Sequence, residues 1–100
     1  MITNRFEMKA KVWVYPGAGG WHLLTVPKKQ SHTIKKAFAT LNQGWGSIPV
    51  TVTIGQTTWK TSIFPDTKMD SYQLPIKAEV RKKEKIGLGD KVLFTLEIMV

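Results

Sequence analysis

The sequence has no cysteine among its 100 residues, which excludes a disulfide frame, a thiolate zinc site and a cysteine nucleophile, and suits a reducing cytoplasm. It also has no apolar run near the roughly 20 residues needed to cross a bilayer. Its opening, Met1-Ile2-Thr3-Asn4-Arg5-Phe6, lacks the basic-then-apolar pattern of a secretion signal. The expectation is a soluble, cytoplasmic protein without a membrane partner. Histidine is scarce. His22 and His32 are separated in the chain, with no carboxylate placed as a third ligand, so neither a metal site nor a cofactor is expected. Ser31 beside His32 is not a nucleophile-and-base arrangement, and Arg81 with Asp90 reads as a structural pair. No catalytic residue is expected, and the chain reads as a non-enzyme.

Acidic residues are few: 7 Asp and Glu stand against 15 Lys and Arg, for a net charge of +8. The excess is concentrated. Lys28, Lys29, Lys35 and Lys36 lie in one short segment, and Lys77, Arg81, Lys82, Lys83 and Lys85 in another, opposed there only by Glu79 and Glu84. The hydrophobic share of 42%, with four Trp and four Phe, is enough to offset the ordering entropy of one domain spanning residues 1–100.

Phe6, Met8, Ala10, Val12 and Val14 alternate with Glu7, Lys9, Lys11, Trp13 and Tyr15, which predicts a first strand with one buried face. Pro16 to Gly20 is a turn, and Trp21 to Val26 a short strand ended by Pro27. Ser31 or Thr33 can cap a helix with Ile34, Ala37, Phe38 and Leu41 on its apolar side, Lys28 and Lys29 before it, Lys35, Lys36 and Thr40 on the wet side, and Asn42 to Gly44 as its stop. Ile48 to Ile54 and Thr57 to Phe64 flank Gly55-Gln56, a two-residue loop of the type II′ kind. That turn pairs Ile48 with Ile63, Val50 with Thr61 and Val52 with Trp59, placing Trp59 in the core. Pro65 to Asp70 reads as a polar loop, Ser71 to Leu74 as a strand, Ala78 to Ile86 as a short helix stopped by Gly87, and Val92 to Ile98 as the last strand. The count is six strands and two short helices, an all-β fold.

Gly44-Trp45-Gly46-Ser47 before Ile48 resembles Gly87-Leu88-Gly89-Asp90 before Lys91. Trp21 to Pro27 echoes Tyr72 to Pro75. The repeated unit is strand, proline, basic helix, glycine turn and strand, with the boundary between halves expected within Thr57 to Asp70. A helix that re-enters a strand at once needs a residue tolerating positive φ, which the glycines supply, and Asp90 can accept backbone N–H bonds in the turn.

Gly20-Trp21, Val26-Pro27, Ser62-Ile63-Phe64-Pro65, Tyr72 to Ile76, Val80-Arg81 and Gly89-Asp90-Lys91-Val92 resemble the bacterial family known as domain of unknown function 1905 over residues 5–98. The resemblance implies a small double-split β-barrel with an internal pseudo-twofold repeat and no established activity. Family members carry a glycine-containing turn where this chain has Asp66-Thr67-Lys68-Met69-Asp70. They are also often joined to a second domain associated with bacteriocin protection, absent here, which implies a partner in a separate molecule. The second half is further similar to the swapped-hairpin module of AbrB-type regulators and MazE antitoxins, through Leu74-Pro75, Val80-Arg81 and Gly89-Asp90-Lys91-Val92. That likeness implies basic residues near the helix on DNA. Both halves lie in one chain here, so a monomer can close the barrel.

The leading reading is a binding or regulatory barrel with an unassigned partner, and two specific forms of it stay open. Lys28, Lys29, Lys35, Lys36, Lys77, Arg81, Lys82 and Lys83 are candidates to contact nucleic acid or another polyanion, against the plainer reading of solvated lysines. Trp13, Tyr15, Trp21 and Trp45 are candidates for a ligand or interface surface of a small-ligand or protein-binding barrel; Trp13 and Tyr15 fall on the polar phase of the first strand, and such a barrel would also use the Pro16 to Gly20 and Pro65 to Asp70 loops.

Overall fold

A computed structural model describes residues 4–17, 19–38 and 46–99. Along the chain these residues form β1 (Arg5–Lys11), β2 (Trp13–Val14), β3 (His22–Thr25), α1 (Lys28–Phe38), β4 (Ile48–Ile54), β5 (Thr57–Asp66), β6 (Ser71–Pro75), α2 (Ala78–Glu84) and β7 (Lys91–Ile98). Every pairing is antiparallel, in the order β1-β7-β4-β5-β6-β3-β2. The fold is all-β with two short helices.

The two ends of that order are joined by one residue. Val12 N–H donates to the Asp90 carbonyl at 2.9 Å and the Val12 carbonyl accepts from Gly89 N–H at 3.0 Å, both on the β7 side, while the next residue, Trp13, pairs with Leu23 of β3. The single first strand expected from the alternation is therefore split: β1 borders β7, β2 borders β3, and the sheet closes on itself as a barrel. A second strand is split in the same way. β5 pairs with β4 from Thr57 to Ile63 and then with β6 from Phe64 to Asp66. Pro65 and Asp66 belong to this strand and not to the loop that follows.

Exchanging β1 and β2 for β5, β3 for β6, α1 for α2, and β4 for β7 reproduces the whole pairing scheme. This is the internal repeat, and its boundary is the Gly55-Gln56 turn, ahead of the expected boundary. The correspondence is close at the centre. Val26 N–H donates to the Tyr72 carbonyl at 2.8 Å, and fifty positions later Ile76 N–H donates to the His22 carbonyl at 2.9 Å. Ser31 N–H bonds to the Pro27 carbonyl, and Arg81 N–H to the Lys77 carbonyl. Pro27 and Pro75 are consequently not equivalent, contrary to the proline echo: Pro27 directly precedes α1, whereas Pro75 ends β6. In the glycine turns, the equivalent residues Gly46 and Gly89 hold φ of 87° and 88°, a region closed to most side chains.

The β4–β5 register is as expected, with Ile48 on Ile63, Val50 on Thr61 and Val52 on Trp59. Ile48, Val50, Val52 and Ile54 face inward and alternate with half-buried Pro49, Thr51 and Thr53, because a strand turns successive side chains to opposite faces. Leu24, Ile34, Ile63, Leu74 and Leu96 complete the interior, each with no exposed surface.

Both helices depart from expectation at their ends. α1 begins at Lys28, so Lys28 and Lys29 are its first turn, and Ser31 is inside it and not its cap. Ser31 and Ile34 are buried one turn apart, followed by Phe38, the spacing of one helix face. The helix stop and Leu41 placed within 39–45, and Trp45, lie outside the described residues. α2 stops at Lys85, not at Gly87: Lys85 takes φ 54°, its N–H bonds to the Lys82 carbonyl, and Ile86 N–H reaches back to the Arg81 carbonyl at 2.9 Å. This is a Schellman closure made with a lysine. Asp90 does serve the following turn, its Oδ2 accepting Gly87 N–H at 2.8 Å. In the Asp66 to Asp70 turn the left-handed residue is Asp70, φ 52°, one of the few side chains that tolerate it.

Candidate functional site

A split strand leaves a wedge. From Trp59 to Thr61, β5 is bound only to β4, while the C-terminal end of β6 is bound to β3, so the two strands diverge. A cleft of about 430 Å³ occupies the divergence. β5 contributes Trp59, Lys60, Thr61 and Phe64; the end of β6 and the start of α2 contribute Pro75, Ile76, Lys77 and Arg81; the glycine loop entering β3 contributes Gly19 to His22.

Two kinds of side chain dominate the lining. Trp21 and Phe64 are 55% and 40% exposed, and Trp59, half-buried, packs inward against the core cluster. Trp59 is therefore a wall of the cleft and not the core residue expected of it. The Trp21 indole lies on Gly19, where an added Cβ would stand 2.9 Å from indole Cδ1 and Nε1, so a glycine is needed for the ring to rest there. The other kind is cationic: Lys60, Lys77 and Arg81 line the cleft, and no carboxylate does.

Arg81 is the best held of these cations. Its Nε donates to the Ile76 carbonyl at 3.1 Å, and Nη1 lies 3.4 Å from His22 Nε2. The opposite ring nitrogen, His22 Nδ1, is 2.9 Å from the Gly20 carbonyl. A carbonyl only accepts, so Nδ1 carries the proton and Nε2 accepts from Arg81. The guanidinium is held at Nε and Nη1, and among the described residues its Nη2 donors face no protein partner. Arg81 does not pair with Asp90, as the sequence had suggested; Asp90 is engaged with Gly87.

The repeat supplies a counterpart to this arrangement. Gly20, Trp21, His22 and Arg81 correspond, fifty positions apart, to Asp70, Ser71, Tyr72 and Ser31, which line a second hollow of only about 140 Å³. Ser31 Oγ donates to the Val26 carbonyl at 2.9 Å and accepts from Tyr72 N–H at 3.0 Å, fully buried. Arg81 Nε makes the equivalent bond with its root and leaves its head in the cleft. Burial pushes the Tyr72 phenol above its ordinary value, and His32 Nε2 meets Asp70 Oδ2 at 2.7 Å across the mouth of the hollow. One half of the barrel has a small hollow lined by charges of both signs; the other has a larger, cationic one.

Of the predicted basic residues Lys77 and Arg81 line the cleft, and the others scatter. Lys28, Lys29, Lys35 and Lys36 are exposed on α1, and Lys82 and Lys83 on α2. Lys83 is 3.7 Å from Glu79. Because β3 and β6 are antiparallel, the helices that follow them leave from opposite ends of that strand pair. Trp13 and Tyr15 pack as a tilted pair, centroids 6.1 Å apart, away from the cleft. Trp13 Nε1 donates to Thr25 Oγ1, which donates to Gln73 Oε1, whose Nε2 reaches Asp66, a relay across β2, β3, β6 and β5. Of the four aromatic candidates, Trp21 lines the cleft. Sequence reasoning missed Phe64, Lys60, His22 and the cleft role of Trp59. The available signal was the aromatic-then-cation pair Trp59-Lys60, but its partners lie in distant segments.

Among the described residues, no group of three His, Cys, Asp or Glu is placed to hold a metal ion, and no helix is long and apolar enough to cross a membrane. The fold is thus a double-split barrel whose open split carries the candidate site. The family model described as Domain of unknown function (DUF1905) matches residues 8–96, and the chain belongs to that family. No curated protein matches the chain.

Proposed function

We propose that the protein is a non-enzymatic binding domain whose ligand is a small organic anion seated in the β5–β6 split. The carrying observation is the lining: three aromatic rings and three cations in one cleft, without a carboxylate. Its volume of about 430 Å³ falls in the usual range for small-molecule sites, roughly 300–1,000 Å³. A binding role is supported by the commitments of the polar groups. Ser31 Oγ, His32 and His22 are each engaged by structural partners, so none of the three is set up as a nucleophile and base pair. A cytoplasmic location belongs to the same proposal and rests on the absence of cysteine.

The test is a thermal-shift screen of organic anions. A ligand at about 100 times its Kd adds about 2.7 kcal/mol, a rise on the order of 10 °C for a domain of this size. Arg81→Leu should abolish the rise. A screen in which no anion stabilises the protein overturns the reading.

A second reading is supported by the exposure of Lys28, Lys29, Lys35 and Lys36, none of which has a carboxylate partner among the described residues. In that reading α1 contacts the phosphates of a nucleic acid, and α2 adds a second contact at the far end of the β3–β6 pair. Duplex DNA binding that weakens steeply with salt would support it, and no binding at low salt would remove it.

A further inference from the structure

We infer that the anion held in the cleft is a nucleobase bearing a phosphate, a nucleotide unit that is either free or part of a single strand. The inference rests on the proposal that the cleft is the binding site, and narrows its ligand by charge, shape and placement.

Charge comes first. A guanidinium fork already matches one carboxylate, so a monocarboxylate would leave Lys60 and Lys77 unanswered, and no acidic side chain lines the cleft to answer them. A phosphate monoester carries about −1.5 to −2 at neutral pH, and successive diesters of a strand carry one negative charge each, so either form suits a site with three cations. Arg81 is prepared for it: the Ile76 carbonyl and His22 hold Nε and Nη1 of the guanidinium, and Nη2, with no partner among the described residues, offers donors to phosphate oxygens.

Shape comes second. The exposed rings of Trp21 and Phe64 stand at the cleft with Trp59 as a wall. Gly19 supports the Trp21 indole from behind, so stacking a base on it orders little that is not already ordered. Placement comes third. Trp59 is followed by Lys60, and Trp21 and Phe64 share the cleft with Arg81 and Lys77. Rings beside cations are what a unit with a flat apolar part joined to a phosphate requires, and are the arrangement by which single strands are held without reading their sequence.

The experiment is a tryptophan-fluorescence and calorimetric titration of the whole chain. The probes are AMP, GMP, CMP and UMP, with adenosine, inorganic phosphate and indole-3-acetate as controls and a single-stranded decanucleotide as a further arm. A nucleoside monophosphate should bind about tenfold or more tightly than adenosine or phosphate alone. Arg81→Leu should reduce AMP affinity to that of adenosine, and Trp21→Ala should lower it by on the order of tenfold while the far-UV spectrum is unchanged. A decanucleotide binding more tightly than AMP identifies a strand as the source of the unit; equal affinity identifies free nucleotide. Adenosine binding as well as AMP, or indole-3-acetate binding where the nucleotides do not, overturns the inference while the cleft remains a binding site. If none of the probes binds, the inference falls, and the proposal of the cleft as a site falls when the wider anion screen is also negative.

Discussion

Replacing Ser31 by alanine tests the idea that the repeat assigned structure to one half and binding to the other. Ser31 is 2% exposed, and its hydroxyl joins two backbone groups, donating to the Val26 carbonyl at 2.9 Å and accepting from Tyr72 N–H at 3.0 Å. Alanine fits the space and the helix, so the cost is the pair of orphaned polar groups. Each buried unsatisfied group costs about 1–3 kcal/mol, and a water entering the vacated volume recovers part of it. The expected loss is roughly 3 kcal/mol, or a fall in Tm on the order of 10–20 °C. At the equivalent position, Arg81 makes one bond to a carbonyl from a half-exposed side chain, so Arg81→Leu should cost about 1 kcal/mol or less. Urea unfolding followed by tryptophan fluorescence measures both. A Ser31→Ala protein within about 0.5 kcal/mol of the parent, the scatter of ordinary surface changes, refutes the reasoning. So does an Arg81→Leu protein less stable than the Ser31→Ala protein.

Lys85→Gly should stabilise the fold by about 1 kcal/mol, since Lys85 holds φ 54° at the end of α2 where glycine is strain-free; chemical denaturation reads it. Gly89→Ala should cost about 1–2 kcal/mol through the backbone alone, because φ is 88° and nothing lies within 4 Å of the added Cβ. Ile63→Ala, at the fully buried pivot where β5 changes partner, should cost about 2–5 kcal/mol. The raised phenol of Tyr72 has a defined sign: its neutral form is favoured in the fold, so the associated stability is full below the ordinary tyrosine value and is lost as pH rises through the folded one. Absorbance titration at alkaline pH should show a late component that Tyr72→Phe removes.

Local periodicity accounts for what was legible in the sequence. The β4–β5 hairpin was readable to the residue because strict alternation and a glycine-led two-residue turn leave one register that buries Ile48, Val50 and Val52. The split at Val12 was not readable, since Val12 and Val14 keep the phase of Phe6 to Ala10 and only the choice of neighbour changes, a choice made by tertiary pairing. Ser31 was misread as a cap because serine favours caps; here its hydroxyl is satisfied from inside the helix by the carbonyl of Val26 and the N–H of Tyr72. Gly87 looked like the helix stop for the same kind of reason, yet Lys85 bears the left-handed turn. The cleft was the least legible, because Trp21, the β5 pair Trp59 and Phe64, and Arg81 come from three separate segments that only the pairing of β3, β6 and β5 brings together. The basic segments were plain in composition, but composition does not show that an antiparallel strand pair sends them out from opposite ends.

Barrel closure also constrains when the protein can exist as a folded object. Arg5 pairs with Glu97, and Ile98 N–H bonds to the Asn4 carbonyl at 2.8 Å, so the first strand receives its long partner only after residues some ninety positions later have been made. During synthesis β1 waits with an open hydrogen-bonding edge, the feature by which strands aggregate. Its outward charges, Arg5, Glu7, Lys9 and Lys11, then guard that edge against neighbouring chains. Once β7 arrives that edge is paired, and the same charges become ordinary surface.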